Sequence, residues 1–344
     1  MSGPWQPNED WVTPQSAAPD SGATIRGPRD NHSMHLMIPH ASALGEAATQ
    51  ALQTLNLPRL AELLGRLEPV AQLGSDEYAL QLPHELALAR LWGWPTETPP
   101  ALAVAQARAD GIAVGEWAWA LLTPLHLSVG SDQVTALDPA ALALNEAESR
   151  AFFEALAWLF PAEEGWQRAW GAPGRWYVAH ADLAGLVSAS LDRVINRNVD
   201  PWMPEARRLR TLQNELQMAL HGHALNDARE ARGALPLNSV WISGCGLALP
   251  QTPQPELRLD ERLREPLLAQ DWAAWAEAWV ALDAGPVAEA LERVRAGQPL
   301  RLTLAGERLA REFAPRAPAT GLGGLWQRLA GPRPAAVLPL LEAL

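Results

Sequence analysis

The chain has 344 residues, 48% of them hydrophobic, and a formal net charge of -12. This length can bury one large core or two smaller ones, and the acidic charge argues against a broad nucleic-acid or anionic-membrane surface. The single cysteine, Cys245, excludes an intramolecular disulfide and a Cys-type zinc site. The absence of lysine excludes P-loop nucleotide binding and Schiff-base chemistry.

Targeting and membrane signals are missing from the pattern of the sequence. No basic start is followed by a signal-type apolar run, and no apolar stretch reaches the roughly 18 residues of a membrane helix. We therefore expect a soluble cytoplasmic protein with no nucleic acid and no membrane among its partners.

Taken in chain order, residues 1–33 are rich in Pro, Ser, Asp, Asn and Gly and are predicted to be disordered. Alternating or continuous apolar runs predict strands at 34–38, 117–129 (one or two strands), 175–179, 239–242 and 300–304. Helical spacing predicts helices at 42–55, 58–67, 84–92, 100–110, 146–160, 204–221, after Asp271, and at 286–296. The Pro-rich stretch 250–255 is typical of a linker or a long loop.

Strands and helices thus alternate over most of the length, which predicts an α/β fold. Pro124 is expected at an edge or a break within 117–129. The sixteen Trp residues are scattered, several of them on predicted helices, and are interpreted as core and interface packing instead of a ligand-stacking platform.

The segment 222–246 is the most informative part of the chain. It joins a helix end, a Gly break, a Pro, a short strand and a Gly-rich stretch, and it contains His223-Ala-Leu-Asn226, Pro236-Leu-Asn238 and Gly244-Cys-Gly246. This pattern resembles the archaeal-type cofactor-independent phosphoglycerate mutases of the alkaline-phosphatase superfamily, in which the first element reads His-Pro-x-Asn. A likeness of uneven strength covers about residues 34–246.

The resemblance implies an alkaline-phosphatase-like α/β core sheet flanked by helices, with an inserted smaller α/β domain. Carried onto this chain, the core would comprise residues 34–122 and 236–344. The insert would comprise 123–235, and 1–33 would be an N-terminal extension.

The same resemblance implies a Ser or Thr nucleophile and two divalent cations such as Mn, which activate the hydroxyl and neutralise phosphate. The nucleophile position falls on His84. The first strand is followed by Pro39-His40-Ala41 where the family has Asp-Gly, and the late strand runs into Gly306-Glu307-Arg308 where it has Asp-His-Ser. No His follows His223. We therefore expect a degenerate site with no catalytic residue, no metal and no cofactor.

A different ligand site is possible around residues 222–246, called the signature segment below. His223, Asn226, Arg229 and Asn238 could together hold a phosphate or carboxylate, because Arg presents a planar fork to such groups. The alternatives are that Asn226 and Asn238 fasten the loop, and that His223 caps a helix or pairs with His221 on a metal.

Ser243 and Cys245 lie in a predicted tight turn, 243–246, whose backbone N–H groups could face an anion. Cys245 could also be a nucleophile if folding brings His223 near it. The pair His84-Glu85 is interpreted as surface or satisfied core. The basic cluster is interpreted as a solvated helix face, with a partner-docking surface as the alternative; it comprises Arg193, Arg197, Arg207, Arg208 and Arg210.

The sequence thus favours a non-catalytic, phosphoglycerate-mutase-like pseudoenzyme with a regulatory or binding role. Overall it is similar to proteobacterial RpfE-type regulatory proteins. Its partner would be a protein or a small phosphorylated or acidic metabolite. The alternatives are an active metal-dependent phosphoglycerate mutase or phosphatase with relocated site residues, and a non-metal hydrolase that uses Cys245.

Overall fold

A computed structural model of the chain describes residues 34–252, 256–316 and 333–344. The predicted disorder of 1–33 lies outside these residues, as does the last part of the predicted linker. The strands are β1 Met34–Ile38, β2 Leu67–Gly74, β3 Ala118–Leu125, β4 Leu127–Val129, β5 Val134–Ala136, β6 Gln167–Ala172, β7 Arg175–Ala179, β8 Ser239–Leu247, β9 Glu256–Leu259, β10 Leu300–Ala305 and β11 Leu309–Pro315.

The helices agree with most of the predicted ones to within a few residues. They are α1 Glu46–Thr54, α2 Pro58–Arg66, α3 Pro83–Leu91, α4 Leu102–Ala109, α5 Glu146–Ala155, α6 Arg207–Leu220, α7 Ala224–Glu230, α8 Arg264–Leu268, α9 Trp272–Ala284, α10 Pro286–Arg295 and α11 Val337–Glu342. Three of them begin at a side chain that accepts a backbone N–H: Asn145 accepts from Glu148, His223 from Leu225, and Asp271 from Ala274.

The first sheet has five strands in the order β2-β11-β10-β1-β9, and β9, β1 and β10 are parallel. Leu36 and Ile38 of β1 face a large apolar core formed with α1, α2, α9 and α10. Met37 between them faces a smaller cluster with Ala87 of α3, as expected for alternating side chains of a strand. Helices therefore cover both faces of this sheet.

The second sheet has four antiparallel strands in the order β6-β7-β3-β8. One face packs on α5 and α6, and the other face, which carries Trp119 of β3, packs on α4 and Trp94. The predicted α/β class, with a core sheet flanked by helices, is confirmed. Strand β3 spans the predicted boundary at residue 123, β6 and β7 lie within the predicted insert, and β8 lies after residue 235. The predicted domain boundaries stay predictions.

Two sequence expectations about this sheet have different outcomes. Pro124 lies near the end of β3, opposite Val240 of β8, and the expected edge position is confirmed because the pairing of β3 with β7 on its other side ends at Leu122. The predicted tight turn at 243–246 is wrong, because β8 continues through it to Leu247. A Cβ on Gly244 would lie 2.6 Å from the backbone nitrogen of Ala103, so this glycine permits close packing of α4 on the strand.

Most of the tryptophans described are packed in the interior, as predicted, and the largest buried side chains include Trp119, Trp176, Trp241, Trp275 and Trp279. Within the described residues, none of the helices combines the length and the apolar character that crossing a membrane requires.

Candidate functional site

The carboxyl ends of the three parallel strands meet at one edge of the first sheet. Asp260 follows β9 directly, His40 lies two residues after β1, and Glu307 lies two residues after β10. Open α/β sheets bind their ligands at this edge. The side chains that gather there are called the edge cluster below; they are His40, His84, Glu85, Asp192, Arg193, Arg197, Arg264 and Glu307.

His40, Asp192 and Arg264 form a chain of side-chain contacts in which His40 is buried and the other two are partly buried. The His40 Nε2 lies 3.3 Å from the Asp192 Oδ2, and Arg264 donates from Nε and Nη2 to the two carboxylate oxygens of Asp192. Burial alone would raise the pKa of Asp192, but the hydrogen bonds with His40 and Arg264 outweigh it and hold this pKa well below its usual range. The backbone of His40 is fixed as well, since its carbonyl accepts the indole N–H of Trp275 at 3.1 Å.

His84, the position that the resemblance aligns with the nucleophile, lies beside this chain. Its ring centre is 5.2 Å from that of His40. Burial, followed by the charge of His40, lowers the pKa of His84 to about 3, so its imidazole is neutral at physiological pH. Among the described residues it has no hydrogen-bond partner for its side chain. A neutral imidazole held in this way can contact a ligand as donor or acceptor.

Glu85 lies in the first turn of α3, and its carboxyl group accepts hydrogen bonds from the Ser190 hydroxyl and the Leu82 backbone N–H. Burial raises the pKa of Glu85 to about 7 despite these two hydrogen bonds. Near neutral pH this carboxyl group is therefore protonated in an appreciable fraction of molecules.

Arg193 corrects a sequence expectation. It was predicted on a solvated helix face, but only 1% of it is exposed, because the short 3-10 helix Leu191–Arg193 points it inward. Its Nη2 donates to the backbone carbonyls of Glu307 at 2.9 Å and Gln81 at 3.3 Å. Its Nε and Nη1 have no hydrogen-bond partner among the described residues. A buried guanidinium with two free donors carries a large desolvation penalty.

The cluster carries a net positive charge when Glu85 is protonated. Glu307 is paired with Arg197 and also accepts the backbone N–H of Leu44 at 3.0 Å. Asp192 is paired with Arg264, which leaves Arg193 without a carboxylate partner. Whenever Glu85 is protonated, the three guanidinium groups therefore outnumber the two carboxylates by one.

The residues at this edge do not fit a pair of divalent cations. Asp192, Glu307 and Asp260 are each bound to an arginine, and Asp260 accepts hydrogen bonds from the Nε and Nη2 of Arg262. Three guanidinium groups within the cluster oppose any further positive charge. Within residues 34–252, 256–316 and 333–344, no three His, Cys, Asp or Glu side chains come together as a metal-binding group.

The residues of the signature segment are occupied by protein contacts. Asn226 donates to the carbonyls of Leu220 and Leu237 and accepts the N–H of Leu237, all within 2.9 Å. Asn238 binds both the N–H and the carbonyl of Leu127. These contacts favour the loop-fastening role that the sequence left open for both amides.

His223 and Arg229 are held in a similar way. His223 Nδ1 accepts the backbone N–H of Leu225, which supports a helix-capping role. Arg229 is buried and donates to Glu148 and to the carbonyls of Leu142 and Leu235. Their role as ligand-binding residues stays a prediction.

Ser243 and Cys245 are buried in β8. Burial raises the pKa of the Cys245 thiol to about 11, so only about one molecule in 10⁴ carries the reactive thiolate at pH 7. This environment is the opposite of that of a catalytic cysteine.

We expect Cys245 in the folded protein to react with iodoacetamide at least about 100-fold more slowly than after unfolding in guanidinium chloride. Mass spectrometry of quenched samples measures both rates. Equal rates in the two states would contradict this assignment and would restore Cys245 as a nucleophile.

Two solved structures are similar to this chain over most of its length. The cofactor-independent phosphoglycerate mutase from Thermoplasma acidophilum DSM 1728 has 13% sequence identity and a TM-score of 0.35, with 82% of this chain and 89% of that chain covered. The PH0037 protein from Pyrococcus horikoshii has 9% identity and a TM-score of 0.41, with 84% and 88% covered. No protein-family model and no curated protein sequence matches the chain. Both structural likenesses are too weak to carry an activity over.

Proposed function

We propose that this protein is a non-catalytic, phosphoglycerate-mutase-like binding protein that holds one small oxyanion at the edge cluster. The observation that carries the proposal is the buried guanidinium of Arg193, whose Nε and Nη1 have no partner among the described residues. An unsatisfied buried group of this kind calls for a bound species to satisfy it.

The chemistry around Arg193 favours a phosphate or carboxylate group. An anion can accept a charge-assisted hydrogen bond from the Nε–H or from the Nη1–H of Arg193, which lie on different edges of the guanidinium because the Nε–H faces the Nη2 side. The excess positive charge of the cluster would be neutralised by the anion, and the protonated Glu85 and neutral His84 add further hydrogen-bonding groups close by. A small phosphorylated or acidic metabolite is therefore the ligand class that we propose.

We propose that the protein is non-catalytic because of the pairing of the carboxylates at this edge and the residues found at the expected catalytic positions. The carboxylates that could bind metal are paired with arginines, and the positions of the expected nucleophile and metal ligands hold His84, His40 and Glu307. Such a pseudoenzyme would act by changing state when its ligand binds. We place this regulatory role, of the RpfE type, in the cytoplasm.

One observation favours the alternative of an active phosphatase or mutase with relocated residues. The Ser190 hydroxyl donates to Glu85, whose pKa of about 7 suits a general base. Against this, Ser190 is buried and lies beside paired carboxylates that offer no metal site.

Two assays on the purified protein separate these functions. With manganese and 3-phosphoglycerate we expect no turnover, and product formation that a chelator abolishes would establish the alternative. In isothermal titration calorimetry we expect inorganic phosphate and 3-phosphoglycerate to bind, and Arg193→Gln to weaken binding at least about tenfold.

The matched control is Arg59→Gln, a change at a half-exposed arginine that pairs with Asp283. Its phosphate affinity should equal that of the wild type. Thermal unfolding of each variant checks that it is folded. Equal phosphate affinity of the Arg193 variant and the wild type would contradict the anion site.

A further inference from the structure

A cleft separate from the edge cluster lies between the segment 158–166 and α6. Its volume is about 360 Å³, which is within the range of small-molecule sites. The side chains that matter for its chemistry are Trp158, Glu164, Trp166, Arg208, Thr211 and Glu215. None of them has a part in the function proposed above.

Two tryptophans line the cleft, one packed against other rings and one exposed to solvent. Trp166 is buried, stacks on His180 with ring centres 4.5 Å apart, and meets Phe160 edge to face. Trp158 is 68% exposed, in contrast to the buried tryptophans of the two cores. Tryptophan side chains are usually buried because of their large apolar surface. The exposed indole of Trp158 therefore offers a ring face to a ligand in the cleft.

The charges around the cleft are predominantly negative. Neither Glu164 nor Glu215 forms an ion pair with another described residue. Among the described residues that line the cleft, the one cation is Arg208, which is already paired with Asp182 at 3.2 Å and lies 5.7 Å from the centre of the Trp166 ring. The positive charge of Arg208 is therefore compensated, while the two glutamates are left without compensation.

We propose that this cleft binds a small organic cation, an ammonium group on an apolar or aromatic body. The ammonium would lie between Glu164 and Glu215 against the indole face of Trp158, where the ring quadrupole and the two carboxylates attract it together. The Thr211 hydroxyl can accept one of its hydrogens, and the apolar body would fill the part of the cleft next to Trp166. The limited volume favours a free small molecule over a peptide segment.

Benzylammonium and benzoate form a matched pair of probes, because they share the ring and differ in the sign of the charge. In calorimetric titrations of the full chain at low salt, we expect benzylammonium to bind at least about tenfold more tightly than benzoate. Equal affinities, or tighter binding of benzoate, would overturn the proposal, because Arg208 would then be the group that selects the ligand.

Two variants locate the binding. Trp158→Leu and Glu215→Gln should each weaken benzylammonium binding about 5- to 20-fold. The controls are Trp117→Leu and Glu230→Gln, which replace exposed residues outside the cleft and should leave the affinity unchanged. Unchanged affinity in both cleft variants would refute the site. Phosphate binding at Arg193 is measured separately, so either proposal can fail alone.

Discussion

Replacing Glu85 by Gln should stabilise the protein at pH 8 by about 2–3 kcal/mol and change its stability little at pH 5. The cause is the burial that raises the pKa of Glu85 from 4.5 to about 7 in the folded state. Between these two values the folded protein binds more protons than the unfolded chain, so stability falls as the pH rises and levels off above about 7. The neutral Gln removes this dependence and can still accept the Leu82 N–H and bond with Ser190.

Guanidinium chloride unfolding at pH 5, 6, 7 and 8 measures the effect, with free energies of unfolding compared at each pH. Glu277→Gln, at an exposed position on α9, is the control and should follow the wild type at all four values. If the Glu85 variant and the wild type kept a constant difference in stability from pH 5 to pH 8, the carboxyl group would not titrate in the range assigned to it.

Replacing Arg229 by Met should destabilise the fold by about 3–4 kcal/mol. Only 1% of Arg229 is exposed, and its guanidinium joins the carbonyls of Leu142 and Leu235 to the carboxylate of Glu148. Methionine fills much of the same volume but leaves those two carbonyls without their donor. The loss is therefore one of hydrogen bonds and charge, with little change in packing.

The matched control is Arg232→Met, because Arg232 also pairs with Glu148 but is half exposed. It should cost less than about 1 kcal/mol in urea or guanidinium unfolding. Equal losses in the two variants would contradict a structural role for Arg229. Unchanged phosphate affinity of Arg229→Met, measured where it is folded, would separate that role from the ligand-binding role expected from the sequence.

Local patterns in the sequence were sufficient for much of the secondary structure. Periodic leucines mark α2 and α6. The N-cap residues Asn145 and Asp271, whose side-chain oxygens accept a backbone N–H, mark the starts of α5 and α9. The strands β2, β5, β6, β9 and β11 were missed. β9 and β11 each have an arginine in the strand, and Pro69 interrupts the apolar pattern of β2.

The candidate site was predictable only in part. The resemblance singled out positions 40, 84 and 307, and the parallel pairing of β1 with β10 brings the loops that follow them to one edge. Asp192, Arg193 and Arg264 reach the same edge from distant parts of the chain, which no local pattern encodes. An arginine in a basic run is normally solvated, and only the tertiary structure shows that Arg193 is buried without a carboxylate partner.

The central claim is that the edge cluster holds one oxyanion and no pair of catalytic metals. A crystal structure from crystals grown with phosphate and manganese, with diffraction data collected at the manganese absorption edge, tests it most directly. We predict tetrahedral density within hydrogen-bond distance of the Arg193 Nε or Nη1 and no manganese peak at this edge of the sheet. Two manganese ions beside the Ser190 hydroxyl, with Arg193 left unliganded, would contradict the account.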